Sequence, residues 1–276
     1  MKKEKLLMKI AVLGTCISLT AGCVGCSQKE GLSSAKNEDR PQIIIGSDNY
    51  PPFNYEDADG KPAGIDVDLA IEAFDRLGYE AVFTYIDWEA KKQLVESGEI
   101  DCIWGSFSID GREDQYHWTS PYMNSSEVVA VNVDSGIYTL ADLEGKRVAV
   151  QSTTKPEELF TSHTDVRIPE LAEVFSLQNR ELIYPFLSKG YADAVAAHKT
   201  AIMQCMKDYD LEYRILEEPL LTVGLGVAFS NYDERGLDKE LSEMFEKMRE
   251  DGTMERILGK YLGNPQEYLE VDANEE

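Results

Sequence analysis

The stretch GSDNYPPFNYEDADGKPAGIDVDLAIEAF, residues 46–74, closes the apolar run QIIIGS (42–47) and decides how the rest of the chain is read. An apolar run leads into a turn carrying Asp48, Tyr50, Pro51, Pro52 and Phe53. A second turn, DADG at 57–60, follows, and then a pattern with Ile65, Leu69, Ala73 and Leu77 at helical spacing. A strand, an aromatic turn and an amphipathic helix in this order form the first unit of an α/β fold. The turn lies at the carboxyl end of the strand, where open α/β sheets bind their ligands. Proline fixes φ, so Pro51 and Pro52 hold the neighbouring rings in place before any ligand arrives.

The alternation continues along the chain. EAVFTYI, EIDCIWGSFS, EVVAVNV, KRVAVQS and ADAVAAH read as further strands. WEAKKQLVESG, PEELFT, ELIYPFLSKG, HKTAIMQCMKDY and DKELSEMFEKMREDGTMERILGKYLG read as helices, which predicts an α/β fold with mixed, largely parallel sheets. The residues just after each strand are then the ones to inspect. They are Asp48, Tyr50 and Phe53; Trp88; Gly105, Ser106, Ser108 and Arg112; Gln151 to Thr154; and His198. Aromatic walls, hydroxyls, one arginine and one imidazole suit a pocket for a small polar molecule with an anionic group. From residue 41 onward the sequence holds no paired carboxylates at hydrolase spacing, no nucleophile elbow, no CxxC and no HExxH, so neither a cofactor nor a metal is expected.

DADG is expected to be a hairpin turn rather than a calcium loop, because its glycine comes too early and no glutamate closes it at the right distance. Asp66 and Asp68 stand where negative charge favours a helix start.

The ends and the charge set the address. MKKEKLLMK and the apolar run IAVLGTCISLTAG make a secretory signal too short to cross a bilayer and remain there. Leu19-Thr20-Ala21-Gly22-Cys23 resembles a bacterial lipobox with Cys23 as the lipidated residue. Residues 1–22 are thus expected to be a signal peptide and residues 23–40, polar and without apolar periodicity, a flexible tether. The net charge of the whole chain is −24. Such an acidic body argues against nucleic acid and anionic lipid as partners. Cys102 and Cys205 are expected to be packed free thiols.

Seven segments in order carry a wider resemblance: IIIGSDNYPPFNY, DGKPAGIDVDLAIEAFDRLG, QLVESGEIDCIWGSFSIDGRED, YHWTSPY, LADLEGKRVAVQSTT, GYADAVAA and DGTMERILGKYLG. Over nearly all of the folded chain, they resemble the extracellular solute-binding proteins of polar amino-acid ABC importers. The resemblance implies a periplasmic-binding-protein-like fold, with two α/β lobes joined by a two-crossing hinge. Lobe 1 would be residues 41–124 plus 220–276 and lobe 2 residues 125–219. It implies a monomer that is not an enzyme, anchored by lipid on the outer face of the cell membrane. Such a protein captures an amino acid or similar small carboxylate and delivers it to an ABC permease.

By position in that family, Tyr50 would stack on the ligand with Trp88 as the opposite wall, and Arg112 would grip an α-carboxylate through a forked pair. SIDGR is one residue shorter than the family spacing. A surface arginine paired with Glu113 or Asp114 is the plain alternative. Ser106 and Ser108 would share one strand face, and Thr154 would cap the PEEL helix or serve a carboxylate. His198 stands where the family places an aspartate for the ligand's ammonium. Either Asp48 or another acid holds the ammonium, or the rings of Tyr50 and Trp88 do, or the solute is not a standard α-amino acid; His198 could also simply cap a helix. Two other classes share the fold: enzymes resembling cyclohexadienyl dehydratase, with His198 as proton donor, and ligand-sensing modules. The second is disfavoured by the absence of a following membrane helix or signalling domain.

Overall fold

The computed structural model of the protein describes residues 40–270; the signal segment and residues 23–39 of the tether, Cys23 included, lie outside them. The strands are β1 (Gln42–Ser47), β2 (Tyr55–Glu56), β3 (Pro62–Ala63), β4 (Glu80–Tyr85), β5 (Cys102–Ser108), β6 (His117–Trp118), β7 (Met123–Asn132), β8 (Arg147–Gln151), β9 (Glu173–Leu177), β10 (Ala194–His198), β11 (Tyr213–Ile215) and β12 (Leu221–Phe229). The helices are α1 (Ile65–Leu77), α2 (Lys91–Ser97), α3 (Lys155–Ser162), α4 (Ile183–Ser188), α5 (Lys199–Asp208), α6 (Leu237–Glu250), α7 (Thr253–Leu258) and α8 (Gln266–Leu269).

The main sheet runs in the order β4-β1-β5-β12-β7-β10-β8-β9, with β6 beside β12 and β11 beside β7. β1 pairs in parallel with β4 and β5, and β8 pairs in parallel with β9 and β10. Between these two parallel sets lie the long strands β7 and β12, antiparallel to each other and to their neighbours β10 and β5. The sheet is therefore mixed.

Helices cover both faces of each parallel set, which is why its strands read as apolar runs rather than strict alternations. Ile43, Ile45, Leu69, Phe74, Leu241 and Phe245 pack together on one face of the first set, and Val95, Ile100 and Ile103 on the other. Around the second set, Val129, Val148 and Phe160 form one cluster and Ala149, Ile183, Leu187 and Ile202 another. Cys102 and Cys205 are buried free thiols, as expected. No helix among the described residues is long and apolar enough to cross a membrane.

DADG joins β2 to β3 as a hairpin turn. Asp57 Oδ1 accepts the backbone N–H groups of Asp59 and Lys61, each at 2.9 Å, so the carboxylate is used by the turn itself. The pattern at 238–263, read from the sequence as one helix, is two. α6 ends at Glu250 and α7 begins at Thr253, because Gly252 at φ 73° turns the chain between them. β6, β9, β11 and β12 add to the strands expected from the sequence.

Candidate functional site

The carboxyl ends of β1, β4 and β5 meet those of β8, β9 and β10 at a cleft. Its inner part is lined by Trp88, Ser106, Phe107, Ser108, Arg112, Glu127, Thr153, Thr154, Lys155, Arg180 and His198. An outer part continues past Asp48, Asn49, Gln151, Gln178 and Glu181. The inner cavity is narrow, about 20 Å³, far below the ~300–1,000 Å³ typical of drug-sized ligands, so the two banks stand closed on each other here.

Local backbone geometry aims the polar groups. Ser106 has φ 45° and Thr153 φ 59°, both in the left-handed region. Non-glycine residues in that region cost of order 1–3 kcal/mol each and collect at ligand clamps. Ser106 is held there by Asp66, the second residue of α1. Asp66 Oδ2 accepts from Ser106 N at 2.7 Å and from Asn54 Nδ2 at 2.9 Å, while Oδ1 accepts from the Tyr122 hydroxyl at 2.9 Å. Burial pushes the Asp66 pKa up to about 6 against the pull of these bonds. The Ser106 kink breaks the strand alternation, and the pairing of β5 with β12 shifts register here. Gly105 lies behind the wall. A Cβ there would stand 3.2 Å from Ser47 Oγ and 3.3 Å from the Trp88 ring, so glycine lets Trp88 lie against the strand. Trp88 packs edge-on to Phe107 at 5.3 Å.

Arg112 donates from Nη1 to Ser108 O at 3.2 Å and from Nη2 to Thr153 O at 3.4 Å. Among the described residues it has no ion-pair partner; Glu113 instead accepts from Gly111 N at 2.9 Å. Beside it, buried Lys91 donates from Nζ to Trp88 O at 3.0 Å and to Thr153 Oγ1 at 2.7 Å. Burial, then the nearby Arg112 charge, lowers the Lys91 pKa to about 7.

His198 closes the inner end. Its Nε2 lies 3.2 Å from Ser106 O and 3.2 Å from Glu127 Oε1, and its Nδ1 lies 2.9 Å from Ser125 Oγ. A carbonyl oxygen only accepts, so Nε2 carries the proton and Nδ1 accepts from the Ser125 hydroxyl. This tautomer leaves the imidazole no acceptor for a ligand's ammonium. Burial, reinforced by the Arg180 charge, lowers the His198 pKa to about 3, so the ring is neutral. The acid in the inner cleft is Glu127, 4% exposed. Burial pushes its pKa up to about 7, with Arg180 and Arg112 pulling the other way. Four buried side-chain oxygens around the cleft have no hydrogen-bond partner within the described protein: Asp48 Oδ1, Ser106 Oγ, Glu127 Oε2 and Gln151 Oε1. Buried polar groups ordinarily find partners, so these acceptors ask for donors.

Arg180, from the turn after β9, reaches across the cleft. Its guanidinium carbon stands 3.4 Å from the Tyr50 ring centroid, and Nε lies 3.2 Å from Asp48 Oδ2. Asp48 Oδ2 also accepts from Gln151 Nε2 at 2.9 Å. His198 N donates to the Tyr50 hydroxyl at 3.0 Å, Gln178 donates to Asp87 at 2.6 Å, and Asn49 donates to Glu181.

Of the residues picked from the sequence, Trp88, Ser106, Ser108, Arg112, Thr154 and His198 line the inner cleft, and Asp48 lines its outer part. Tyr50 is at the cleft, but Arg180 covers its ring. Phe53 is fully buried behind Tyr50 and His198, with ring centroids at 5.4 and 5.7 Å, and supports them from the core. Thr154 precedes α3 but does not cap it; its hydroxyl donates to Gln151 O at 2.6 Å. Sequence reasoning missed the charged residues Glu127, Lys155 and Arg180 of the inner cleft and Lys91 beside it. The β-prone run EVFSL before Arg180 was the available signal.

The chain is 30% identical over 269 residues to the histidine-binding periplasmic protein of Salmonella typhimurium, covering 94% of this chain and 97% of that one. It is 27% identical to the L-cystine-binding protein TcyJ of Escherichia coli, covering 93% and 98%. Among solved structures, a substrate-binding protein of an ABC uptake transporter from Streptococcus pneumoniae with bound histidine superposes with a TM-score of 0.75 at 25% identity, covering 81% of this chain and 93% of that one. A family model covers residues 43–264, from the start of β1 past the end of α7, and so takes in every cleft residue named above. With matches to that model and to relatives over nearly their whole length, the chain belongs to the bacterial extracellular solute-binding proteins, family 3.

Proposed function

We propose that the protein captures an α-amino acid in the cleft and delivers it to the permease of an ABC importer while anchored through Cys23. The observation that carries this reading is a matched pair of open groups in one cavity. Among the described residues, Arg112 is a guanidinium with no carboxylate partner, and Glu127 Oε2 and Ser106 Oγ are buried acceptors without donors. A zwitterion answers both: its carboxylate pairs with Arg112 and its ammonium donates to Glu127 and Ser106. Glu127 takes the place left by the missing aspartate, and His198 Nε2–H orients it. Trp88 forms an apolar wall. Residues 41–124 plus 220–276 and residues 125–219 act as two lobes that close about β7 and β12. The histidine- and cystine-binding relatives support an amino acid as the solute. His198 is a poor general acid, since its lowered pKa keeps the ring neutral and a neutral imidazole N–H gives up its proton only with great difficulty, which speaks against a dehydratase.

The test is a thermal shift against the twenty amino acids, cystine, simple amines and small acids. A bound solute raises the melting temperature with the logarithm of its excess over Kd. Amino acids should shift it, while amines and acids carrying only one of the two groups should not. A panel with no shift from any amino acid, or turnover of a prephenate-like acid, would defeat the reading. For the anchor, Cys23→Ser should release the protein from the membrane fraction; unchanged retention would count against lipidation.

A further inference from the structure

An aromatic face and a buried carboxylate are the two groups that hold an ammonium or guanidinium. Tyr50 and Asp48 supply both at one point of the cleft, and the chain fills that point itself. The Arg180 guanidinium lies over the ring at 3.4 Å and its Nε is 3.2 Å from Asp48 Oδ2, in a pair whose side chains are only 8% and 10% exposed. The turn that presents Arg180 is fixed, since the Asn179 side chain accepts from Glu181 N at 2.9 Å just before α4 begins. Arg180 also lines the inner cavity, so the filled cation position and the solute cavity share a wall.

We propose that Arg180 determines specificity. It holds from within the protein the place that a solute's cationic side chain would take. The site therefore accepts α-amino acids with neutral or acidic side chains and rejects those ending in ammonium or guanidinium. This rests on the amino-acid reading above. A second cation brought beside Arg180 meets like charge in a poorly solvated space that already holds Arg112 and Lys91. Expelling Arg180 instead would separate it from buried Asp48 and strand a charge. A neutral or acidic side chain meets no such conflict. The Arg180 Nη groups make no hydrogen bond among the described residues and can donate to a carboxylate, an amide or a neutral imidazole.

Calorimetric titration of wild type, Arg180→Ala and the double variant Arg180→Ala/Asp48→Asn with glutamate, glutamine, histidine, cystine, arginine and lysine tests this. Wild type should bind one or more of the first four, and arginine and lysine at least about tenfold more weakly. Arg180→Ala should gain arginine or lysine affinity by about tenfold or more, and the added Asp48→Asn should cancel the gain. Wild type that binds arginine or lysine as tightly as its best neutral or acidic solute overturns the proposal but leaves the amino-acid reading standing. So does a cooperatively melting Arg180→Ala with no such gain. Should Arg180→Ala not fold, Arg180→Met keeps the apolar stem over Tyr50 and is titrated instead; should neither fold, the wild-type comparison decides. Wild type that binds no amino acid at all overturns both.

Discussion

Among the described residues, the Arg112 side chain has hydrogen bonds only to carbonyl oxygens at 3.2 and 3.4 Å, a loose arrangement for a guanidinium. If it grips a carboxylate, Arg112→Ala should weaken binding of the cognate amino acid by about 2–5 kcal/mol in a calorimetric titration, as for truncating one side of a buried charged pair. Equal affinity would refute the clamp. Lys91 makes a prediction about pH. Its pKa falls from 10.5 to about 7 on folding. Between those values the unfolded chain binds more protons than the folded one, so stability rises with pH across that window. Urea unfolding at about pH 7.5 and pH 9.5 should show wild type gaining on Lys91→Met as pH rises; a constant difference would contradict the burial argument. Arg112, Ser106 and His198 were legible in the sequence because each lies at the carboxyl end of a strand with a clear apolar pattern. Arg180 was not, because EVFSL is short and half-buried and was not read as a strand. Glu127 escaped for a different reason. It lies on β7, opposite His198 in an antiparallel pair, so the cleft meets the amino-terminal half of that strand.

At the scale of elements, the first unit was legible nearly to the residue. Apolar runs fix β1 and β4, and Ile65, Leu69, Ala73 and Leu77 fix α1. β12 was harder. LTVGLGVAF carries two glycines, which weaken a strand pattern, and only the resemblance pointed to a crossing there. The break between α6 and α7 was hidden because both sides keep helical spacing. A side chain at Gly252 would meet nothing within 4 Å, so the cost of replacing it is purely conformational. Gly252→Ala should lower stability by about 1–2 kcal/mol, the cost of placing an L-residue in the left-handed region. An unshifted denaturant midpoint would mean the two helices can merge.

For the molecule as a whole, the order of segments made the family and the fold legible, while the fit of one bank of the cleft to the other was not. That fit depends on side chains far apart in sequence, such as Asp48 with Arg180 and Lys91 with Thr153. These bonds have a consequence in time. If the cleft takes up solute as proposed, the banks must first part, and parting must break the buried Asp48–Arg180 pair, the Gln151–Asp48 bond and the Lys91–Thr153 bond together. Opening then becomes a step with its own clock, independent of how much solute is present. In stopped-flow mixing followed by tryptophan fluorescence, with Trp88 in the cleft wall as reporter, the observed rate should climb with solute concentration and level off at the opening rate. Asp48→Asn should raise that ceiling. A rate that keeps rising in proportion to solute would mean the banks swing apart faster than solute arrives, and uptake would be limited by supply rather than by the protein.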